Sequence, residues 1–302
     1  MENEKWGLVL CGGGAKGAYQ IGVWRALIEY GLFDKITGIS GDSIGAINEI
    51  MMAGLDYKAA EDIWSRINFL TIFDTEPDLI DFEEGTFSRN EMLELMRQFV
   101  DYEKISGSPL DLFVNITYIG TNRDGTERRP VYETLNHKTN QQIEKLIMAS
   151  SALPIIYEPV MIDGYYYRDG GMTDNMPIKP LYEKGYRKII VAALSDKSVI
   201  NTDAYPDCEL LMIRPSKNLG DLFAGTLNFS RQQIEVRMEL GYRDALRMLK
   251  AHFDENMTVE QLRAMEAVDY ADIMRTARQD ELMGQVNAHM NQLNAIYDKF
   301  DI

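Results

Sequence analysis

A serine flanked by glycines, Gly41-Asp42-Ser43-Ile44-Gly45, follows the apolar stretch 36–40 and precedes the helical pattern Ile44–Gly54. Gly-x-Ser-x-Gly between a strand and a helix is the nucleophile elbow. Its glycines permit a turn too sharp for side chains, so the serine hydroxyl stands clear at the start of the helix. The pattern alone is a weak signal. It gains meaning only if an oxyanion hole and a base exist elsewhere.

The oxyanion candidate lies upstream. WGLVLC at 6–11 reads as a short buried strand, and Gly12-Gly13-Gly14-Ala15-Lys16-Gly17 follows at once. Residues 15–30 then read as a helix, with Ala18, Ile21, Gly22, Ala26 and Leu27 on one face. A glycine run between strand and helix leaves N–H groups bare, with the positive helix end behind them. In an acyl hydrolase such donors would hold the oxygen of the tetrahedral intermediate, and one is worth about 3–4 kcal/mol of barrier. Two other readings stand beside it, a dinucleotide-binding loop and a tight structural turn. The dinucleotide reading wants an acidic residue about 20 positions on. Glu29 and Asp34 come too early for that, and the second strand ends in the elbow instead. A nucleotide P-loop fails because Lys16 precedes Gly17 and no Ser or Thr follows.

The base is not a histidine on this reading. The chain has three, His137, His252 and His289. A Ser–Asp–His hydrolase places its histidine late, in a loop after a strand. His252 and His289 lie in helical stretches and His137 in a polar turn, so all three are expected at the solvated surface. A directly bonded carboxylate is the alternative. Asp169 fits, because the aromatic strand Tyr165-Tyr166-Tyr167-Arg168-Asp169 breaks there at Gly170-Gly171. The plain alternative is an Asp-Gly turn. An aspartate near its usual pKa of ~3.9 is a poor base, so a dry site is required. The apolar stretch 149–157 and the tyrosines are expected to supply it. Lys16 is expected to point at substrate or to stand apart.

These motifs, in this order, resemble the patatin-like phospholipases, a family of serine–aspartate dyad acyl hydrolases. Ala149-Ser-Ser-Ala-Leu-Pro154 with Pro159, Asn175-Met-Pro177 and Gly241-Tyr-Arg-Asp-Ala245 resemble further family segments, so the likeness covers about 5–250. The resemblance implies Ser43 as nucleophile, Asp169 as base, and Gly13 and Gly14 as oxyanion donors. It also implies a phospholipid or other acyl-ester lipid as substrate; no cofactor is expected. A low-turnover lipid-binding or regulatory protein on the same fold is the second reading. One departure is Cys11, where many members carry a polar residue or glycine.

The elements that must position these residues follow from periodicity. Strand-like stretches at 6–11, 36–40, 111–120, 158–168 and 187–194 alternate with helices near 15–30, 44–54, 57–67, 88–100, 140–151 and 177–185. That alternation predicts a three-layer α/β/α fold with a mostly parallel central sheet. A turn at 121–125 predicts a local antiparallel hairpin into 131–135. Beyond about 214 the pattern turns helical, first from about 225 to 252, then in two helices across 258–298. The expected division is a catalytic core at 1–215 and a helical C-terminal region at 216–302, packed on or appended to it.

Composition limits the partners. The chain has 302 residues, 45% of them hydrophobic, enough for one sizeable core. Two cysteines, Cys11 and Cys208, make neither a disulfide framework nor a metal cluster, and no metal is implied. The net charge of −16 excludes nucleic acid and opposes attraction to anionic membranes. Contact with a membrane surface would be transient and local. The acidic start Met-Glu-Asn-Glu-Lys is read as no secretory signal, and a cytoplasmic location is expected. The segment 67–82, INFLTIFDTEPDLIDF, reads either as a mobile apolar lid or as ordinary helices covering the core.

Overall fold

The computed structural model describes residues 5–67, 90–122, 127–154, 156–254, 258 and 260–279. The candidate lid lies outside the described residues except for Ile67, as do His289, the hairpin tip at 123–126 and the helix expected beyond 279.

The strands are β1 (Trp6–Leu10), β2 (Ile36–Asp42), β3 (Asp111–Tyr118), β4 (Arg129–Thr134), β5 (Val160–Ile162), β6 (Tyr165–Asp169), β7 (Lys188–Ala192) and β8 (Glu209–Ile213). They form one eight-stranded sheet in the order β5-β6-β3-β2-β1-β7-β8, with β4 on β3. The stretch from β3 through β2, β1 and β7 to β8 is parallel, and β4, β5 and β6 pair antiparallel. Every residue of β1 is buried, the mark of a strand covered on both faces. Leu8 and Leu10 face a core shared with α1 (Ala18–Glu29), α2 (Ile44–Gly54), α6 (Asn140–Ser150) and α8 (Arg231–Phe253). Val9 and Cys11 face Leu181 of α7 (Lys179–Glu183) and Tyr186. The three-layer, mostly parallel α/β fold is therefore present. Three further helices, α3 (Tyr57–Arg66), α4 (Asn90–Phe99) and α5 (Tyr102–Ser106), complete the named set, and 260–279 is also helical.

The register of β3 does the positioning. Its residues 113–115 pair with β2 on one edge and with β4 on the other. From Ile116 onward β4 continues, and β6 takes the edge that β2 has left. So β2 and β6 meet end to end along β3, with Asp42 opposite Asn115 and Asp169 opposite Ile116. Residues 126 positions apart are brought together by this one strand edge.

Three expectations need correction. The strand expected at 158–168 is a hairpin, β5 and β6, because Asp163 and Gly164 both adopt positive φ (50° and 84°). Two such residues make the mirror-image turn that joins antiparallel strands most tightly. The run Glu209–Ile213, to which periodicity assigns no element, is strand β8 on the sheet edge beside β7. The helix expected from about 225 begins at Arg231, after a single π-type turn over Leu222–Thr226.

Candidate active site

Ser43 joins β2 to α2 with φ 54° and ψ −121°, a conformation costly for any residue with a side chain. The surroundings enforce it. A Cβ at Gly45 would lie 2.0 Å from the Leu10 carbonyl oxygen, so α2 packs on β1 only with glycine there. The Ser43 N–H donates to Ser150 Oγ at 2.9 Å, and Ser150 is fully buried at the end of α6. In the sequence Ser150 stands out only as a member of the Ala149–Pro154 segment. Nothing in its local pattern marks it as a partner of residue 43.

The Ser43 hydroxyl donates to Asp169 Oδ2 at 2.7 Å. Asp169 is 4% exposed, and its Oδ1 accepts the Gly171 N–H at 2.9 Å. Thr117 Oγ1 on β3 donates to the Asp169 carbonyl oxygen at 2.8 Å, which fixes the end of β6. The Asp-Gly-Gly turn thus aims one carboxylate oxygen at the serine and spends the other on its own backbone. Neither described histidine is near. His137 is exposed in a left-handed turn, and His252 pairs at the surface with Glu209 at 2.7 Å.

Gly12, Gly13 and Gly14 face Ser43 and Asp169 across a cavity of about 380 Å³. That lies within the range of roughly 300–1,000 Å³ typical of small-molecule sites. Ile44 and Gly171 also line it, while Ala15, Lys16, Gly17, Gly41, Asp42, Gly45 and Gly170 do not. The helix expected at 15–30 starts as a short 3-10 turn, Gly14–Gly17, which runs into α1. A buried amide network locks this loop to the elbow. Gln20 donates to the Cys11 and Ala192 carbonyls, Asn48 donates to the Gly17 carbonyl and to Gln20, and Trp64 donates to Asn48. Lys16 stands apart from the carboxylates of the site. Burial pushes its pKa down, and the charges acting on it are Arg237, Asp221 and Asp196.

Asp42 carries a second buried carboxyl. It has no exposed surface, Asn115 Nδ2 donates to its Oδ1 at 3.2 Å, and its Oδ2 has no hydrogen-bond partner among the described residues. Burial first, then the charges of Asp169 and Asp174, push its pKa well above the ordinary 3.8, against the Asn115 bond. The folded chain therefore keeps a proton that the unfolded chain loses above that pH. Where the folded state binds more protons, stability falls as pH rises, by about 1.4 kcal/mol per pH unit for one group. The Tm of Asp42→Asn relative to wild type is therefore expected to rise in melts from pH 5 to pH 8. A constant difference would mean that Asp42 ionises within the fold. Glu49, raised by burial in the same sense, stays in both proteins and drops out of the difference.

Among the described residues no group of three or more His, Cys, Asp or Glu side chains could hold a metal ion. No helix among them is long and apolar enough to cross a membrane.

A family model described as patatin-like phospholipase matches residues 8–182, more than half of the chain. Similar curated proteins include the lysophospholipase NTE1 of Meyerozyma guilliermondii, 28% identical over 212 residues, covering 67% of this chain. The lysophospholipase NTE1 of Cryptococcus neoformans is 30% identical over 196 residues, covering 62% of it. The chain spans only 14% of the first relative's length and 11% of the second's. Among solved structures, VipD from Legionella pneumophila aligns at 17% identity with a TM-score of 0.48, over 96% of this chain and 77% of that one. Human GIVD cytosolic phospholipase A2 aligns at 10% identity with a TM-score of 0.47, over 91% and 60%.

Proposed function

Given that the chain belongs to the patatin-like phospholipase family, we propose that it is a lipid acyl hydrolase working through Ser43 and Asp169. The observation that carries this reading is the 2.7 Å bond from Ser43 Oγ to Asp169 Oδ2, opposite the glycine run in one cavity. Asp169 takes the hydroxyl proton as Ser43 Oγ attacks the ester carbonyl carbon. The oxyanion is held by the N–H groups of Gly13 and Gly14, with Ile44 N–H beside them. Collapse of the intermediate breaks the bond to the leaving alcohol, which takes the proton from Asp169 and departs. Water then gives a proton to Asp169 and attacks the acyl-serine. The second intermediate releases the fatty acid, and the proton returns to Ser43.

Ile44, Ile47, Leu153 and Ile156 in the wall of the cavity support a fatty-acyl chain as the group bound. A phospholipid or lysophospholipid with a neutral headgroup suits a chain of net charge −16, which repels anionic surfaces. A fluorophosphonate probe, which captures an activated serine, provides the test. Labelling of wild type and none of Ser43→Ala is expected. An unlabelled wild type that still binds lipid would favour the low-turnover lipid-binding reading instead.

If the carboxylate works alone, the histidines are dispensable. The triple variant His137→Gln, His252→Gln, His289→Gln should keep its ester hydrolysis within about threefold, with circular dichroism confirming the fold. A loss of about 10²-fold from a folded variant, the scale of a missing general base, would make a histidine catalytic.

A further inference from the structure

One side of the cavity is the connection 219–229, which reaches α8 from the end of the sheet. Asp221 opens it by accepting the N–H groups of Phe223 and Ala224, and the π-type turn Leu222–Thr226 continues it. Leu222, Thr226, Leu227 and Phe229 from this connection line the cavity. The same segment backs the glycine run. A Cβ at Gly14 would meet the Thr226 carbonyl oxygen at 2.4 Å. So one irregular stretch both walls the space for a ligand and presses on the oxyanion candidate.

An irregular stretch needs something to hold its carbonyls. Arg237, on α8, is 1% exposed and supplies that hold. Its guanidinium donates to the carbonyl oxygens of Asn228 at 2.8 Å, Ala224 at 3.0 Å and Leu219 at 3.5 Å. Those three carbonyls sit at the start, middle and end of the connection. Burial pushes the pKa of this guanidinium down to about 10, and no carboxylate among the described residues offsets that shift. Burying a cation is costly, and an apolar side chain of similar size would fill the space without that cost. What only a planar fork of donors does is gather several carbonyls at fixed angles.

We propose that Arg237 is a positioning residue that sets the acyl-chain preference of the cavity by clamping the 219–229 connection against the glycine run. The inference rests on reading the cavity as an acyl site. Leu222, Leu227 and Phe229 touch the chain of the substrate, and Arg237 acts through them. Loosening the clamp withdraws apolar wall from a long chain and takes little from a short one. Every methylene that no longer meets the wall lowers kcat/KM for long chains selectively.

The test uses the full chain carrying Arg237→Met or Arg237→Lys, with circular dichroism and melts to establish folding. Hydrolysis of p-nitrophenyl butyrate and p-nitrophenyl dodecanoate gives the chain-length ratio in kcat/KM. That ratio is expected to fall by about tenfold or more in Arg237→Met and by less in Arg237→Lys, which keeps the charge but not the fork. A ratio unchanged within about twofold would overturn the proposal, even if both rates dropped together, because a merely structural loss is blind to chain length. Displacement of a fluorescent C18 fatty acid by octanoic, dodecanoic and hexadecanoic acids reads the same preference without turnover. If wild type cleaves neither ester, the hydrolase reading fails. The displacement series then decides on the clamp: selective loss of long-chain affinity in Arg237→Met supports it, and an unchanged series overturns it. Global unfolding of both variants would assign Arg237 to folding and overturn it as well.

Discussion

Asp169→Asn is expected to fold as wild type does and to lose ester hydrolysis by roughly 10²–10⁴-fold, the range of a removed general base. The amide matches the carboxylate in shape. Its oxygen still accepts the Gly171 N–H that orients the native side chain. What it lacks is the capacity to take a proton from Ser43, the donor 2.7 Å away. Without that transfer the hydroxyl stays a weak nucleophile, however well the glycine run is placed. The measurement is kcat on an activated ester alongside the thermal midpoint. Retention of more than about a tenth of kcat, a barrier change under ~1.4 kcal/mol, would remove Asp169 from the role of base. A large fall in Tm would instead trace the loss to the end of β6, which Thr117 holds through the Asp169 carbonyl.

The largest effect on stability is expected at the crossing of α1 and α8. A Cβ at Gly22 would lie 1.8 Å from the Met238 carbonyl oxygen, and one at Gly241 would lie 2.0 Å from the Tyr19 carbonyl oxygen. Each helix therefore rests on the other's bare backbone. Neither obstacle is a side chain that can rotate away. Gly241→Ala must push the helices apart, which also strains the bond from Tyr19 to Asp244 at 3.1 Å. Overpacking of this kind costs about 3 kcal/mol, at the upper end of the usual range. For a chain of this size that corresponds to a Tm lower by about 5 °C. A single, coordinated transition at the lower temperature would place α8 in the same folding unit as the sheet. A change in Tm below about 2 °C would show that the crossing yields and that α8 is only appended.

The residues that could do chemistry were legible because each is marked by its immediate neighbours. Glycines at 41 and 45 around Ser43, a glycine run after a buried strand, and a glycine pair after Asp169 are all local signs of backbone turning sharply at a strand end. The α/β layering was legible for the same reason, since strand and helix periodicities are written into short stretches. Two elements escape a reading of short stretches because a backbone conformation or a neighbouring strand decides them. The Asp163-Gly164 turn splits one aromatic run into two strands, and Glu209–Ile213 becomes a strand only because β7 offers it an edge. The tertiary structure alone decided the rest. Ser43 meets Asp169 because β2 and β6 share one edge of β3. The Ser43 amide meets Ser150 because α6 ends beneath the elbow, and a buried Arg237 gathers carbonyls from a segment with no regular structure of its own. Sequence specifies turns and faces through interactions a few residues long. Which ends meet depends on strand order and register, and those are settled by packing between segments that the chain itself holds far apart.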